Sequence, residues 1–515
     1  MQTPQLAEPK SLLYRALLLL YPFLLAYYPV LALRNHNIIY VDLATILRSL
    51  LLATAGTAAL LVVTTLLVRS LERASIITAV TVALFLSYGH LYTQLEQALG
   101  EPVRHRYVAA GELAVWLAVV GLVLKKEQAA RALAQFLAVA SLVLVALVVF
   151  ESARYDLEVS RATASAMGVE SAQASALAQT GLPDFYLIIL DAHTRSDVLR
   201  EVFGYDNAAF IQHLRDMGFY VSECSQSNYA STILSLTSAL SGNYIQDIVE
   251  EGQVLPPLKS SALNQALEAR GYTTIAFENR SRGQFDLKED VHLARNQLAL
   301  GRFDLRGGIN EFEKMMVETS LLGFWVNAGL IPGLNDTTLD EWEYWEHYYQ
   351  TLYILSELEN LPEVPGPKFV YAHLMVPHPP YIFTPDGAYD HKFRQIEGYR
   401  SNVQFIDSRL PGILNTILAK SDPRPVIVVM GDHGPPTHRN VTEQMRMATL
   451  NAYLVNDAAQ AQLYPTITPV NAFRVILNAY YGGDYPLLED ASYYAYRAEQ
   501  LDGAERIANA CEALD

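Results

Sequence analysis

Cysteine is almost missing from this 515-residue chain, with Cys224 and Cys511 the only two. Thiols so far apart cannot form a thiolate zinc knuckle by themselves, and they fix no disulfide framework. An extracytoplasmic position would permit a bond between them without requiring one, and two separate thiols are expected. Charged side chains are also scarce, at 18% of residues, and the acidic ones dominate, giving a net charge of −17. That balance argues against tight electrostatic binding to nucleic acid. A basic run interleaved with aromatics, of the kind single-strand binders use, is likewise missing. Internal repeats and low-complexity segments do not stand out beyond one linker.

Apolar side chains are abundant, at 51% of residues, which is high for a purely soluble protein. The excess sits at the front. Stretches of roughly 20 apolar residues, enough to cross a bilayer, run from about Leu12 to Leu33, Leu43 to Val68, Ala74 to Leu91, Tyr107 to Leu124 and Ala132 to Phe150. A cleavable signal peptide would explain only the first, so a secreted soluble enzyme does not account for the rest. The short loops "RSLER" (69–73) and "KKEQAAR" (125–131) are basic, and the positive-inside rule places both in the cytoplasm. The amino terminus, with Lys10 and Arg15, is then inside, and an odd number of spans exports everything after about residue 151. A multi-pass protein of the plasma (inner) membrane with an extracytoplasmic head is expected. Charge follows the same division: of 37 basic and 54 acidic residues, 11 and 7 fall in the first 150, leaving 26 and 47 for the remainder. Arg48 and Glu112 lie inside spans, where helix pairing or snorkelling explains them better than a polar pathway.

Residues 151–182 are rich in Ala, Ser and Glu and are expected to form a polar helix or tether. From 183 to about 490, continuous apolar runs such as "FYLIIL" and "VIVVM" alternate with amphipathic helical segments. That alternation predicts an α/β domain with a mostly parallel central sheet covered on both faces. Residues 285–365 break the pattern with a largely helical insert, whose "EWEYWEHYYQTLYIL" is expected to pack a helical subdomain. Residues 491–515 form a tail.

In an open parallel sheet, ligands bind beyond the carboxyl ends of the strands. Two strands here end in acid: "FYLIIL" runs into Asp191, and "VIVVMGDHG" runs into Asp432 and His433. Either acid alone would be read as a helix cap or an arginine partner. Two acids and an imidazole on one sheet edge suit a single divalent cation, with mixed nitrogen and oxygen ligands favouring Mn²⁺ or Zn²⁺ over Mg²⁺. A hydroxyl nucleophile is offered by "NYASTILSLTSALSG", where a polar loop becomes a helix at Ser231 or Thr232. The free amides and positive dipole end there would hold an anion, although an ordinary N-cap is the commonest role for such a residue.

The ordered set "ILDAHTR", "TILSLTSALS", "HLMVPHPPY" and "GDHG" resembles the alkaline phosphatase and sulfatase superfamily. Within it, the five spans and exported head are similar to the membrane-anchored branch of lipoteichoic acid synthases and lipid A phosphoethanolamine transferases. The resemblance implies that Asp191, Asp432 and His433 are metal ligands. It also implies that Thr232, which is followed three residues later by Ser235 as in the family motif, is both nucleophile and ligand. His373 and His378 with Pro380 match the family's substrate histidine segment, as phosphate-side ligands or proton donors to the leaving group. Arg195, with His193 and Asp197, is placed at the pocket, and His438 is a candidate substrate contact. Arg195, His193 and Asp197 are each equally open to a capping or ion-pair role, and a solvent-exposed loop histidine is the safer reading of His438.

The departures narrow the chemistry. Sulfate-ester hydrolases of the family carry a Cys or Ser in Cys/Ser-x-Pro-x-Arg, whereas Thr232 here is followed by Ile233, Leu234, Ser235 and Leu236. Ala192 replaces a frequent second acid, so one metal is expected. The implied function is transfer of a phospho-headgroup from a membrane phospholipid donor to an envelope glycan or lipid acceptor, through a phospho-threonine. A phosphodiesterase or phosphatase would use the same site with water as acceptor. A catalytically inactive exported sensor or scaffold would be expected to have lost one of Asp191, Thr232, Asp432 and His433, and none is lost.

Overall fold

The computed structural model describes residues 12–100, 102–170, 181–249, 254–278, 285, 287–295, 310–331, 336–509 and 511. The chain divides into two compact units: Met1–Tyr155 with Leu298–Glu343, and Asp156–Gln297 with Tyr344–Asp515.

The first unit contains α1 (Leu12–His36), α2 (Leu43–Val68), α3 (Leu71–Leu99), α4 (His105–Lys125) and the start of α5 (Glu127–Glu170). All five are long and apolar enough to cross a membrane. Many of their large apolar side chains face outward, among them Leu52, Leu66, Leu67, Phe136 and Phe150. A helix exposing leucine and phenylalanine on this scale needs lipid as its solvent. Hydroxyls inside the bundle are satisfied locally, as where Thr64 and Thr78 bond each other at 2.9 Å.

Of the insert, the described residues 310–331 cluster with the membrane helices, and Arg48 pairs there with Glu313. Helix pairing is therefore the role of Arg48, with a partner more than 260 positions away that no local pattern reveals.

The second unit is built on a seven-stranded sheet in the order β2-β7-β6-β1-β5-β3-β4. Its strands are β1 (Phe185–Leu190), β2 (Tyr220–Val221), β3 (Thr273–Phe277), β4 (Val291–Leu293), β5 (Lys368–Leu374), β6 (Val426–Met430) and β7 (Asn451–Leu454). From β6 to β4 the strands are parallel, and β7 and β2 add an antiparallel edge. β1 is central and wholly buried. Phe185, Leu187 and Ile189 enter one apolar cluster, and Tyr186, Ile188 and Leu190 enter the cluster on the opposite face. This two-sided burial is why its sequence reads as an unbroken apolar run, and each large side chain contributes about 1.5–3 kcal/mol.

The helix Gln395–Lys420 covers the second face through Phe405, Ile406, Leu410 and Leu414, and Pro469–Tyr481 covers the first through Phe473 and Leu477. Of the aromatic run, Tyr344, Tyr348 and Tyr353 pack against the second cluster, and Tyr348 stacks on Phe383 with centroids 5.0 Å apart. Cys224 and Cys511 are joined in a disulfide that ties the tail to the segment after β2, contrary to the expectation of two separate thiols. Sequence separation gave no hint of this, because it is the fold that returns the tail to β2.

Candidate active site

Register places the two acids. Ile189 of β1 pairs with Met430 of β6, so Asp191 and Asp432 each lie two residues beyond the same rung. On the other side of β1, Ile189 pairs with His373 of β5. Three adjacent parallel strands thus deliver their polar ends to one edge. The turn after β1 is held in an unusual shape, with Ala192 at φ 65°, a conformation that costs a non-glycine residue of order 1 kcal/mol or more. Two bonds fix it: Ala192 N–H donates to Asp432 Oδ1 at 2.9 Å, and Tyr399 Oη–H donates to the Ala192 carbonyl at 2.7 Å. Gly431 allows the β6 end to approach, since a Cβ there would lie 2.2 Å from the carbonyl oxygen of His193.

Ligand atoms of Asp191, Asp432 and His433 lie within 4.8 Å of one another, and all three residues are buried. Asp432 Oδ1 also accepts from the His433 N–H at 2.9 Å. His433 Nδ1 lies 2.9 Å from the Gly434 carbonyl, so Nδ1 carries the proton and Nε2 turns its lone pair to the cluster. Nε2 is 3.9 Å from Asp191 Oδ1 and 3.5 Å from Asp432 Oδ2. Asp191 Oδ1 and Asp432 Oδ2 are buried without a hydrogen-bond partner. Two orphaned carboxylate oxygens beside an imidazole lone pair are costly unless a cation meets them, so the residues present fit a divalent metal of the mixed N/O class. Among the described residues this is the one such cluster.

Electrostatics agree with the geometry. Burial raises the Asp191 carboxyl, but the imidazoles of His378, His373 and His433 outweigh it and hold the group below the usual carboxylate range. Burial pushes His433 down, toward the neutral form a ligand needs. Burial lowers His373 too, yet its contact with Asp191, Nε2 to Oδ2 at 3.1 Å, raises it overall.

Thr232 opens the helix Thr232–Ser241, and its Oγ1 lies 3.5 Å from His433 Nε2. Ser231 occupies the N-cap position, but its side chain makes no cap bond and its Oγ is buried without a partner. Ser235 donates to the Tyr229 carbonyl at 2.8 Å, which fixes the turn leading into the helix. His378 sits beside Asp191, donating its backbone N–H to the Asp191 carbonyl at 3.1 Å. Arg195 binds Asp197 in a two-pronged contact and also the Ser225 carbonyl. His193 Nε2 meets Asp407 Oδ1 at 2.8 Å. His438 accepts from Asn440 N–H within its own loop. Among the described residues, no hydrogen bond or ion pair joins Arg195, His193, Asp197 or His438 to the cluster.

Sequence reasoning missed Arg446. It is buried, and its guanidinium donates to the carbonyls of Gly434 and Pro435 at 3.0 and 2.8 Å and to that of Ala230 at 3.0 Å. It therefore ties the loop carrying His433 to the segment that leads into Thr232. "EQMRMATL" reads as an unremarkable helix end, and nothing local marks the arginine.

A comparison with curated proteins finds no match. Among solved structures, the chain is similar to the C-terminal periplasmic domain of EptC from Escherichia coli in complex with Zn. Identity is 12%, coverage 59% of this chain and 84% of that one, and the TM-score 0.39. It is also similar to the C-terminal periplasmic domain of the phosphoethanolamine transferase EptC from Campylobacter jejuni, at 11% identity, 58% and 89% coverage and TM-score 0.37. A third likeness is to the integral membrane lipooligosaccharide phosphoethanolamine transferase EptA from Neisseria meningitidis, at 12% identity, 91% and 95% coverage and TM-score 0.37. The sequence profile of the sulfatase family matches residues 183–474, more than half of the chain. That match takes in β1 with Asp191, the start of the Thr232 helix, the β5 histidine and the Asp432–His433 strand end, and the chain therefore belongs to the sulfatase family, within the alkaline phosphatase superfamily of enzymes.

Proposed function

We propose that this protein is a metal-dependent transferase of the plasma (inner) membrane that moves a phospho-headgroup from a membrane phospholipid to an extracytoplasmic glycan or lipid acceptor. The observation that carries the proposal is the meeting of the Thr232 hydroxyl with the Asp191, Asp432 and His433 cluster, 3.5 Å from His433 Nε2. Asp191, Asp432 and His433 would hold one divalent ion, Mn²⁺ or Zn²⁺ in preference to Mg²⁺, with the Thr232 oxygen as a further ligand. When bound, such an ion would supply positive charge that favours loss of the Thr232 proton and offsets the charge of the phosphate.

In the first half-reaction the Thr232 oxygen bonds to phosphorus, its proton passes to solvent, and the bond from phosphorus to the diacylglycerol oxygen breaks. The departing oxygen takes a proton from His378, with His373 on the phosphate side. In the second, an acceptor hydroxyl attacks the phosphorus of phospho-Thr232 and gives its proton back to His378, while the bond from phosphorus to the Thr232 oxygen breaks and that oxygen regains a proton from solvent. The free amides at the start of the Thr232 helix face the anion. Membrane anchoring favours a lipid donor, because tethering raises its effective concentration at the site, whereas a soluble substrate gains little from five spans. Sulfate-ester hydrolysis is disfavoured because Thr232 cannot become the formylglycine that the Cys/Ser-x-Pro-x-Arg motif supplies.

The test is the intact mass of purified full-length protein after incubation with vesicles of phosphatidylethanolamine and phosphatidylglycerol. An adduct that maps to Thr232 and is missing from Thr232→Ala supports the transferase, and its mass names the headgroup. Turnover of donor without any adduct, even under rapid quenching, would replace the covalent route with direct attack by water.

A further inference from the structure

Two short helices of the membrane unit, Glu311–Glu318 and Leu321–Asn327, belong in sequence to the interruption of the head. Yet they pack on the spans. Phe312 is buried among Val30, Leu33, Val41 and Ile46 of the first two spans and the turn between them. Glu313 pairs with Arg48 of α2, and Asn310 donates to the Thr45 carbonyl at 3.3 Å. Against α3, Gly89 N–H donates to the Thr319 carbonyl at 3.0 Å, and a Cβ on Gly89 would lie 2.6 Å from the Thr319 Cα. Two ring pairs continue this seam: Phe324 with Tyr88 at 5.6 Å, and Trp325 with Phe85 at 5.6 Å.

Depth follows from helix rise. The apolar part of α3 begins at Ala74, just past Glu72 and Arg73. At 1.5 Å per residue, Phe85 lies about 16 Å and Gly89 about 22 Å along it. In a hydrocarbon layer about 30 Å thick, both contacts fall beyond the midplane, on the side away from the basic loops. Arg48 gives the same answer from the other end, about 7 Å inside the start of α2. Backbone at that depth needs its polar groups satisfied by the protein. Here it is: Asn310 and Glu313 form a reciprocal capping box, and Ser320 caps the next helix by accepting from Leu322 N–H. The apolar tip nevertheless stays uncovered, with Trp325 38% and Leu330 62% exposed. Leu91 of α3 is exposed as well.

We propose that residues 310–331 form a re-entrant hairpin embedded in the outer leaflet, with Trp325 and Leu330 among the phospholipid acyl chains. The occupant of this face is lipid. The hairpin thereby fixes part of the head's own sequence in the leaflet from which a lipid donor would be drawn. Only the choice of leaflet rests on the exported-enzyme proposal above.

The test is spectroscopic, so loss of activity cannot imitate its failure. Cys224 and Cys511 are bonded to each other, so Leu330→Cys in the full chain gives a single reactive thiol at an exposed position. That thiol is labelled with a polarity-sensitive fluorophore, and the protein is reconstituted in phosphatidylcholine vesicles with or without bromine on the acyl chains. Quenching should match that of a label at Phe136→Cys on α5 and exceed by at least about two-fold that at Glu499→Cys in the head. Trp325→Cys should repeat the result. A water-like emission without quenching would overturn the hairpin. A shielded emission that brominated lipid leaves unchanged would overturn it too, by showing that protein covers this face. An inverted topology would leave the quenching intact and fail only in the reporter fusions described below.

Discussion

Asp432→Asn changes one atom and one charge in the cluster, and its effect can be worked out with and without metal. Oδ1 of Asp432 accepts two backbone N–H groups at 2.9 Å, and an asparagine carbonyl can keep both. The amide nitrogen then replaces Oδ2, which has no partner, with a group that cannot ligate a cation. In wild type without metal, two carboxylates lie with ligand atoms no more than 4.8 Å apart, which at an effective dielectric constant of about 20 is a repulsion of about 3.5 kcal/mol. His433 does not offset it, because burial lowers its pKa and keeps it neutral near pH 7. The metal-free variant should therefore be more stable than metal-free wild type, by about 1–3 kcal/mol once screening by His373 is allowed for. Metal reverses the order: an ion at a thousand times its Kd adds about 4 kcal/mol to wild type and little to the variant. The assay is urea unfolding of the head within the detergent-solubilised full chain, followed by near-ultraviolet circular dichroism in chelator and then in Zn²⁺ or Mn²⁺. A metal-free variant less stable than metal-free wild type would show that the carboxylate serves the backbone and not a cation. Equal stabilisation of both proteins by metal would place the ligands elsewhere.

Thr232→Ala should lose turnover by orders of magnitude with little change in folding stability, because Thr232 is the first helical residue and not the cap, while Ser231→Ala keeps most activity; steady-state rates and melting curves check both. Arg446→Lys keeps the charge but not the fork that reaches Ala230, Gly434 and Pro435, so activity should fall roughly 10–100-fold with metal content unchanged by elemental analysis. A phosphatase reporter fused after residue 180 should be active outside the cytoplasm and one fused near Glu127 silent, and the reverse pattern would sink the exported-enzyme proposal. Reducing the Cys224–Cys511 bond, which closes a loop of 287 positions, should destabilise the head by about 2–4 kcal/mol, read as a lower urea midpoint that Cys511→Ser reproduces.

The strands and the acids at their ends were legible because both follow from burial. "FYLIIL" and "VIVVM" are apolar on every residue since both faces of β1 and β6 are covered, and a polar residue directly after such a run marks the sheet edge. Asp191, Asp432 and His433 could be read that way, and Thr232 through its helix start. Direction was not legible. Arg195 and His193 follow Asp191 closely and have the right chemistry, yet the turn at Ala192 sends them to Asp197 and Asp407, and sequence records the type of a side chain but not its aim. Partners brought together only by the fold were invisible for the same reason: Arg446 with Ala230, Glu313 with Arg48, and Cys511 with Cys224. The five spans were the easiest part, because a bilayer imposes its thickness on composition directly.

The silent cap at Ser231 has a consequence for anyone who would engineer this protein. A helix start normally spends its first-turn amides on the residue before it, and an aspartate there is among the surest ways to strengthen a fold. Ser231 leaves that bond unmade, so the helix stands below the stability its own sequence position would allow, and the amides stay open toward Thr232. Selection for thermal robustness alone would be drawn to this position, and it would close with a carboxylate the place to which the proposed mechanism assigns the phosphate.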